Sequence, residues 1–166
     1  MGRSVDGPHP PADDLVVAVG AKRRTLDELL EAARAKIERF EPVDALAATE
    51  QGTRLIDIRA DVDRERDGIV PGSLHIPRTV LEWRFDPDSE WRNPHVGDLD
   101  QQVLLICDHG CSSVFAAATL VELGFARAGD VVGGFAAWRE AGLPTVPSPS
   151  HRRGTGEPAG MRPPDS

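Results

Sequence analysis

The sequence predicts an α/β fold with a mostly parallel central sheet and helices on both of its faces. Three observations support this class. Short apolar runs typical of buried strands alternate with helix-like segments along the chain. The clearest run, Val103–Ile106, has four apolar residues in succession, as a strand covered on both faces requires. Glycines follow several of the helix-like segments, where a helix commonly ends. Strands separated by helices form parallel sheets, because a crossover is needed to return the chain.

The individual elements follow from local patterns. Helices are predicted over 25–40, 43–50, 114–123 and 135–141, and strands over 53–58, 73–76, 103–106 and 130–132. The first helix has a capping box formed by Thr25 and Glu28, and apolar residues recur at helical spacing as far as Phe40. Residues 80–100 show no period and are predicted to form a loop with one helical turn.

Composition excludes several classes of function. A formal charge of −8 argues against a nucleic-acid-binding protein, which needs a basic face. No apolar run approaches the roughly 20 residues of a membrane span. Two cysteines do not form the disulfide framework of a secreted protein, so we expect a cytoplasmic protein with no membrane or nucleic-acid partner. Residues 1–14 and 147–166 are rich in proline and polar residues, and we predict that both are disordered.

Cys107 has the most informative position in the chain. It directly follows the predicted strand 103–106, and a short loop containing Gly110 leads from it into a helix. The backbone N–H groups and the positive dipole at a helix start favour thiolate over thiol. Ligand sites of parallel sheets lie beyond the carboxyl ends of the strands, so this thiol is predicted to lie in the functional site.

Four segments resemble the single-domain rhodaneses, a family with a sulfurtransferase fold. They are LIDIR at 55–59, GIVPGSLHIP at 68–77, CDHGCS at 107–112, and GGFAAW at 133–138 followed by GLP at 142–144. The resemblance divides the chain into an N-terminal segment with a helix (15–42) and a rhodanese-like domain (43–146). It covers most of the chain predicted to be ordered.

The resemblance implies an enzyme that transfers sulfane sulfur through a persulfide on Cys107. Backbone amides of the loop would hold the anionic outer sulfur. The implied partners are a small sulfur donor and a thiol or cyanide-like acceptor, with a protein sulfur acceptor as a further candidate, and no cofactor. The residues that the resemblance places around the substrate are Asp108, His109, Gly110, Cys111 and Ser112 of the loop, with Arg64 and Arg59 as donor-binding arginines.

This chain departs from the family pattern within the loop. Many members carry Arg or Lys at the sixth loop position, where this chain has Ser112, and Cys111 places a second thiol at the fifth. A non-catalytic binding module, or a persulfide- or redox-sensing module that uses Cys107 and Cys111, is therefore the alternative function. For Asp57 and Arg59, a structural ion pair is the favoured interpretation.

Two further classes are set aside on sequence alone. A metal site is not predicted, because the two loop cysteines and the intervening histidine have no second ligand pair at zinc-site spacing. A related phosphatase would need Arg six residues after the cysteine, and that residue is Ser113.

Overall fold

The predicted α/β class is confirmed by the computed structural model, which describes residues 22–149. Its five-stranded sheet has the order β1-β5-β4-β2-β3, and every strand pair is parallel. The strands are β1 (Glu38–Phe40), β2 (Arg54–Asp57), β3 (Leu74–His75), β4 (Val103–Ile106) and β5 (Ala128–Val131). The helices are α1 (Leu26–Arg34), α2 (Pro42–Glu50), α3 (Asp61–Asp67), α4 (Leu81–Phe85), α5 (Ser112–Glu122) and α6 (Gly134–Glu140), with a 3₁₀ turn over Arg78–Val80.

The central strand β4 has helices against both of its faces. Alternate side chains of a strand point to opposite faces. Leu105 packs in a cluster with residues of α4 and α5, whereas Leu104 packs with residues of α2 and α6, including the fully buried Trp138. Two apolar layers therefore enclose β4, which explains why its sequence is continuously apolar.

The sheet order places a ligand crevice at the carboxyl end of β4. β4 is hydrogen-bonded to β5 on one side and to β2 on the other. The connection from β2 to β3 therefore runs toward one edge of the sheet, and the connection from β4 to β5 runs toward the other. Such a reversal opens a crevice beyond the carboxyl ends of the strands. Cys107, the residue after β4, lies at this crevice.

The predicted helix over 25–40 is wrong in its second half. The helix α1 ends at Arg34, and 38–40 form the edge strand β1, which pairs in parallel with β5. Gly129 permits this pairing, because a Cβ at that position would overlap the carbonyl oxygen of Glu38. Ile37 and Phe40 fit a helical period equally well, so the choice depends on a strand 90 residues distant, which local pattern does not reveal.

Two further helices, α3 and α4, can be compared with the elements expected from the sequence. The helix α3 was not predicted, because its sequence DVDRERD has no apolar stripe and only Arg64 is buried. The loop predicted over 80–100 contains the five-residue helix α4, consistent with one helical turn.

The ends of the chain are only partly described. Residues 1–14, and positions 150–166 of the predicted C-terminal tail, lie outside the described residues. Within 22–149, the structure contains no helix with the length and apolar character that crossing a membrane demands.

Candidate active site

Cys107 is the centre of the candidate site. Its side chain is almost buried, with 5% of the residue exposed. The backbone N–H of Gly110 donates a hydrogen bond to Sγ at 3.1 Å, and the thiol donates to Ser113 Oγ at 3.3 Å. The loop between β4 and α5 thus curls around the sulfur and directs the Gly110 N–H at it, an arrangement that suits an anion.

The loop lowers the pKa of the Cys107 thiol through the hydrogen bonds that the thiolate receives. Burial alone raises the pKa of Cys107, because it removes water from the charged form. Hydrogen bonds from the Ser113 and Ser112 side chains, and from the Ser113 and Gly110 backbone, favour the thiolate and outweigh burial. The pKa of Cys107 therefore lies below its ordinary value.

The N-terminus of α6 fixes the shape of this loop. The backbone N–H of Phe135 donates to the Cys107 carbonyl oxygen at 2.7 Å, and that of Ala136 donates to the Asp108 carbonyl at 2.9 Å. Gly110 has φ +74°, and a Cβ there would lie 2.6 Å from the nitrogen of Gly133. The loop and the Gly133–Gly134 turn therefore pack backbone against backbone, which requires glycine on both sides.

An open pocket of about 350 Å³ lies over the thiol. Its lining residues are Ile58, Arg59, Ala60, Cys107, Asp108, His109, Cys111 and Ser112. The structure thus brings together Cys107, Arg59 and four of the five other loop residues predicted for the site. Gly110 does not line the pocket and instead packs against the α6 turn.

Arg59 is held from behind the pocket by Asp57. Its Nε and Nη2 donate to the two carboxylate oxygens of Asp57 at 3.0 and 2.8 Å, and the guanidinium lies 3.7 Å over the ring of Phe135. The structure therefore contains the ion pair favoured from sequence. Arg59 Nη1 is buried, has no hydrogen-bond partner among residues 22–149, and lies 4.0 Å from Asp108 Oδ1.

Arg64 lies outside the pocket over Cys107. It is buried on α3, and its Nε donates to Asp57 Oδ2 at 3.2 Å. It is not one of the residues that line the pocket over Cys107. Its predicted contact with a sulfur donor therefore stays a prediction, and its observed contact is structural.

The pocket wall carries a carboxylate and a second thiol. Burial raises the pKa of Asp108, and the negative charge of Asp63 raises it further. The positive charge of Arg59 lowers this pKa but does not cancel the increase. Cys111 is exposed, and its Sγ lies 3.9 Å from the carbonyl oxygen of His109. Both cysteines are free thiols in this structure.

Three residues of the site were not identified from sequence. Ser113 Oγ donates to Asp130 Oδ2 at 2.8 Å, and both residues are fully buried. Arg39 Nε and Nη2 donate to the two oxygens of Asp130 at 2.8 and 3.1 Å, and Nη2 also donates to the Gly110 carbonyl at 3.2 Å. Asp130, a charged residue in the predicted buried strand 130–132, was the signal in the sequence that a buried partner exists. Arg39 gave no such signal, because it lies within the helix predicted over 25–40.

The fold and site define a parallel α/β domain with a buried, hydrogen-bonded thiol in the loop between its central strand and the following helix. The family model of the rhodanese-like domain matches residues 41–141. The chain therefore belongs to the rhodanese-like family, as the resemblance of its four segments predicted.

Named relatives and solved structures are similar to this chain in sequence and in fold. The thiosulfate sulfurtransferase GlpE of Pseudomonas savastanoi is 36% identical over 104 residues, which are 63% of this chain and 89% of the relative. A Rhodopseudomonas palustris protein of unknown function, described as a possible tyrosine phosphatase, superposes with a TM-score of 0.70 and 33% identity, covering 76% of this chain and 98% of the other. The polysulfide-sulfur transferase of Wolinella succinogenes has a TM-score of 0.60 and 26% identity, covering 77% and 90%.

Proposed function

We propose that this protein is a sulfurtransferase that carries a sulfane sulfur as a persulfide on Cys107. The observation that carries the proposal is the environment of its Sγ, which receives a hydrogen bond from the Gly110 N–H at 3.1 Å and lies at the base of an open pocket. Relatives named as a thiosulfate sulfurtransferase and a polysulfide-sulfur transferase support the same chemistry.

The reaction has two displacements at sulfur. In the first, the Cys107 thiolate attacks the sulfane sulfur of the donor. With thiosulfate, a new S–S bond forms to Cys107, the S–S bond of thiosulfate breaks, and sulfite leaves with the electron pair. In the second, a thiolate or cyanide attacks the outer sulfur, and the electron pair of the breaking bond returns to Cys107 as thiolate. The enzyme ends in its starting state, so no external oxidant is required.

The residues of this chain have separate roles in these steps. The lowered pKa of Cys107 supplies the thiolate. The outer sulfur of the persulfide is anionic, and backbone N–H groups of the curled loop stabilise it without a fixed cation. Asp108 faces the same pocket and repels an anionic donor, while Arg59, 4.0 Å behind that carboxylate, offsets part of this repulsion.

Intact-mass spectrometry after incubation with thiosulfate or a polysulfide tests the proposal. The wild-type protein and Cys111→Ser should each gain the mass of one sulfur atom, released by cyanide, and Cys107→Ser should gain none. Cys111→Ser is the matched control because it removes the other thiol of the same pocket. Sulfur that accumulates on Cys111 in the Cys107→Ser protein would refute the assignment.

The exposed thiol of Cys111 supports a second candidate function. A persulfide- or redox-sensing module would carry sulfur on Cys107 without multiple turnover. The Cys111 thiolate would then attack Sγ of the Cys107 persulfide, a Cys107–Cys111 bond would form, and the outer sulfur would leave with the electron pair as hydrosulfide. Mild oxidation followed by non-reducing peptide mapping detects that bond. A Cys107–Cys111 disulfide together with a single-turnover persulfide would favour the sensor, whereas continuous sulfite release would favour the enzyme.

An assay of aryl phosphate hydrolysis tests for phosphatase activity. We expect no hydrolysis, because Ser113 stands where a phosphatase of this type requires arginine.

A further inference from the structure

We propose that Arg39 and Asp130 are positioning residues that set the hydrogen-bonding state of Ser113 and, through it, the ionisation of Cys107. Neither residue belongs to the cysteine loop. The inference rests on the proposed function only in treating Cys107 as the sulfur carrier. Its test measures the ionisation of the Cys107 thiol and does not require sulfur transfer.

Ser113 has one proton and two neighbours that compete for it. A serine hydroxyl donates one hydrogen bond, and an ionised aspartate only accepts. Because Ser113 donates to Asp130 at 2.8 Å, its oxygen presents a lone pair to Cys107 and accepts the thiol proton at 3.3 Å. The resting arrangement therefore stabilises the neutral thiol.

Formation of the thiolate reverses this arrangement. The thiol proton leaves to water in the pocket, and the Ser113 hydroxyl must then turn its proton from Asp130 to the sulfur anion. Asp130 is fully buried, so the loss of that donor is costly. The carboxylate therefore opposes ionisation in two ways, by retaining the Ser113 proton and by its own negative charge.

Arg39 limits the opposition from Asp130. Arg39 and Asp130 are directly paired residues of β1 and β5, and the guanidinium contacts both oxygens of the carboxylate. Its remaining contact, to the Gly110 carbonyl at 3.2 Å, joins the same side chain to the residue whose N–H donates to Cys107. The edge strand thus supplies a cation to a loop whose own sixth position is serine.

The other charged and titratable groups around Cys107 come from the loop and from β2. In the described part of the chain they are Asp108, His109 and Cys111 on the loop and Arg59 at the end of β2, in addition to Arg39 and Asp130. None of the first four contacts Ser113 by a hydrogen bond in the structure. A change at Asp130 therefore reaches the thiol through Ser113 by a path that these four do not share.

The test is the pH dependence of Cys107 alkylation in a Cys111→Ser background. Asp130→Asn keeps the shape of the side chain but removes the charge that retains the Ser113 proton, and should lower the alkylation midpoint by about one pH unit. In a Ser113→Ala background the same change should shift the midpoint by less than half as much, because the path is gone. Equal shifts in both backgrounds, or no shift with Ser113 present, would overturn the proposal.

A milder variant covers the case in which Asp130→Asn does not fold. Arg39→Lys keeps the charge but cannot bind both carboxylate oxygens and the Gly110 carbonyl together. It should raise the alkylation midpoint, again by less in the Ser113→Ala background, and an unchanged midpoint would contradict the proposal. Lys36→Gln, which removes a cation exposed on the surface, is the control and should leave the midpoint unchanged. Shifted alkylation in a protein that never forms a persulfide would refute the sulfurtransferase and leave this inference standing.

Discussion

Gly110 of the cysteine loop packs directly against Gly133 of the turn before α6, and a Cβ on Gly110 would lie 2.6 Å from the Gly133 nitrogen. Gly134 likewise packs against the Cys107 carbonyl oxygen, and a Cβ on Gly134 would overlap that oxygen. The two glycine segments are more than 20 residues apart in the chain, yet each is required by the backbone of the other.

Gly110→Ala should therefore destabilise the protein and displace the loop. Its φ of +74° costs an L-residue about 1–2 kcal/mol, and the overlap with Gly133 adds about 1–3 kcal/mol. Gly72→Ala is the matched control, because Gly72 has φ +76° but a Cβ there would have no atom of the described residues within 4 Å. Urea denaturation should show the larger loss for Gly110→Ala, and equal losses would mean that the close packing has no energetic role.

Asp57→Asn should cost much more stability than its conservative size suggests. Asp57 is the shared acceptor of two buried arginines, Arg59 at 2.8 Å and Arg64 at 3.2 Å. Removal of one partner from a buried ion pair typically costs about 3–5 kcal/mol, because a charge is left uncompensated. The free energy of unfolding measures this loss. Glu122→Gln, which breaks the exposed pair with Lys36, should leave the urea midpoint unchanged, and an effect as large as that of Asp57→Asn would refute the argument from burial.

The reactivity of Cys107 should rise with pH at a lower midpoint than that of an ordinary cysteine. Hydrogen bonds to the thiolate outweigh burial and lower its pKa, so the midpoint of iodoacetamide alkylation should fall below the ~8.5 of a free thiol. The Cys111→Ser protein gives this value for one thiol alone, and the same protein in denaturant gives the reference. A folded midpoint at or above the denatured one would contradict the role of the loop.

The same shift has a consequence for stability. Because the folded pKa of Cys107 lies below the unfolded one, the unfolded state binds more protons between the two values. The stabilisation is therefore complete above the unfolded pKa and is lost as the pH falls through the folded pKa. Cys107→Ser should lack this increment, so the difference in unfolding free energy between the two proteins should grow with pH in that window.

Ser112→Arg should increase turnover with thiosulfate about tenfold, which corresponds to about 1.4 kcal/mol of transition-state stabilisation. Thiosulfate is a dianion, and it approaches a pocket that presents Asp108 and no loop cation. The gain should decrease with added salt. Gln51→Arg adds the same charge at the exposed end of α2 and should change nothing. Equal activity of Ser112→Arg and wild type would show that another cation, such as Arg59, already serves the donor.

The sequence determined the features that depend on neighbours along the chain. Four consecutive apolar residues defined β4, Gly110 in a short loop placed Cys107 between strand and helix, and the capping box of Thr25 and Glu28 began α1. The segments that carry the family resemblance lie on the sheet and around the thiol, so the fold class and the position of Cys107 after the central strand could both be predicted. Each is a local pattern, and local patterns are what a single sequence displays.

Only the tertiary structure decided the contacts between distant segments. Residues 38–40 joined the sheet as a strand because Gly129 permits close pairing, and this placed Arg39 opposite Asp130. The packing of α3 likewise places Arg64 against Asp57 and outside the pocket. A buried charge is stable only where it meets its partner, and Asp130 meets its partner Arg39 across the pairing of β5 with β1. Which charges reach the thiol therefore depends on strand pairing, and the order of residues along the chain does not state that pairing.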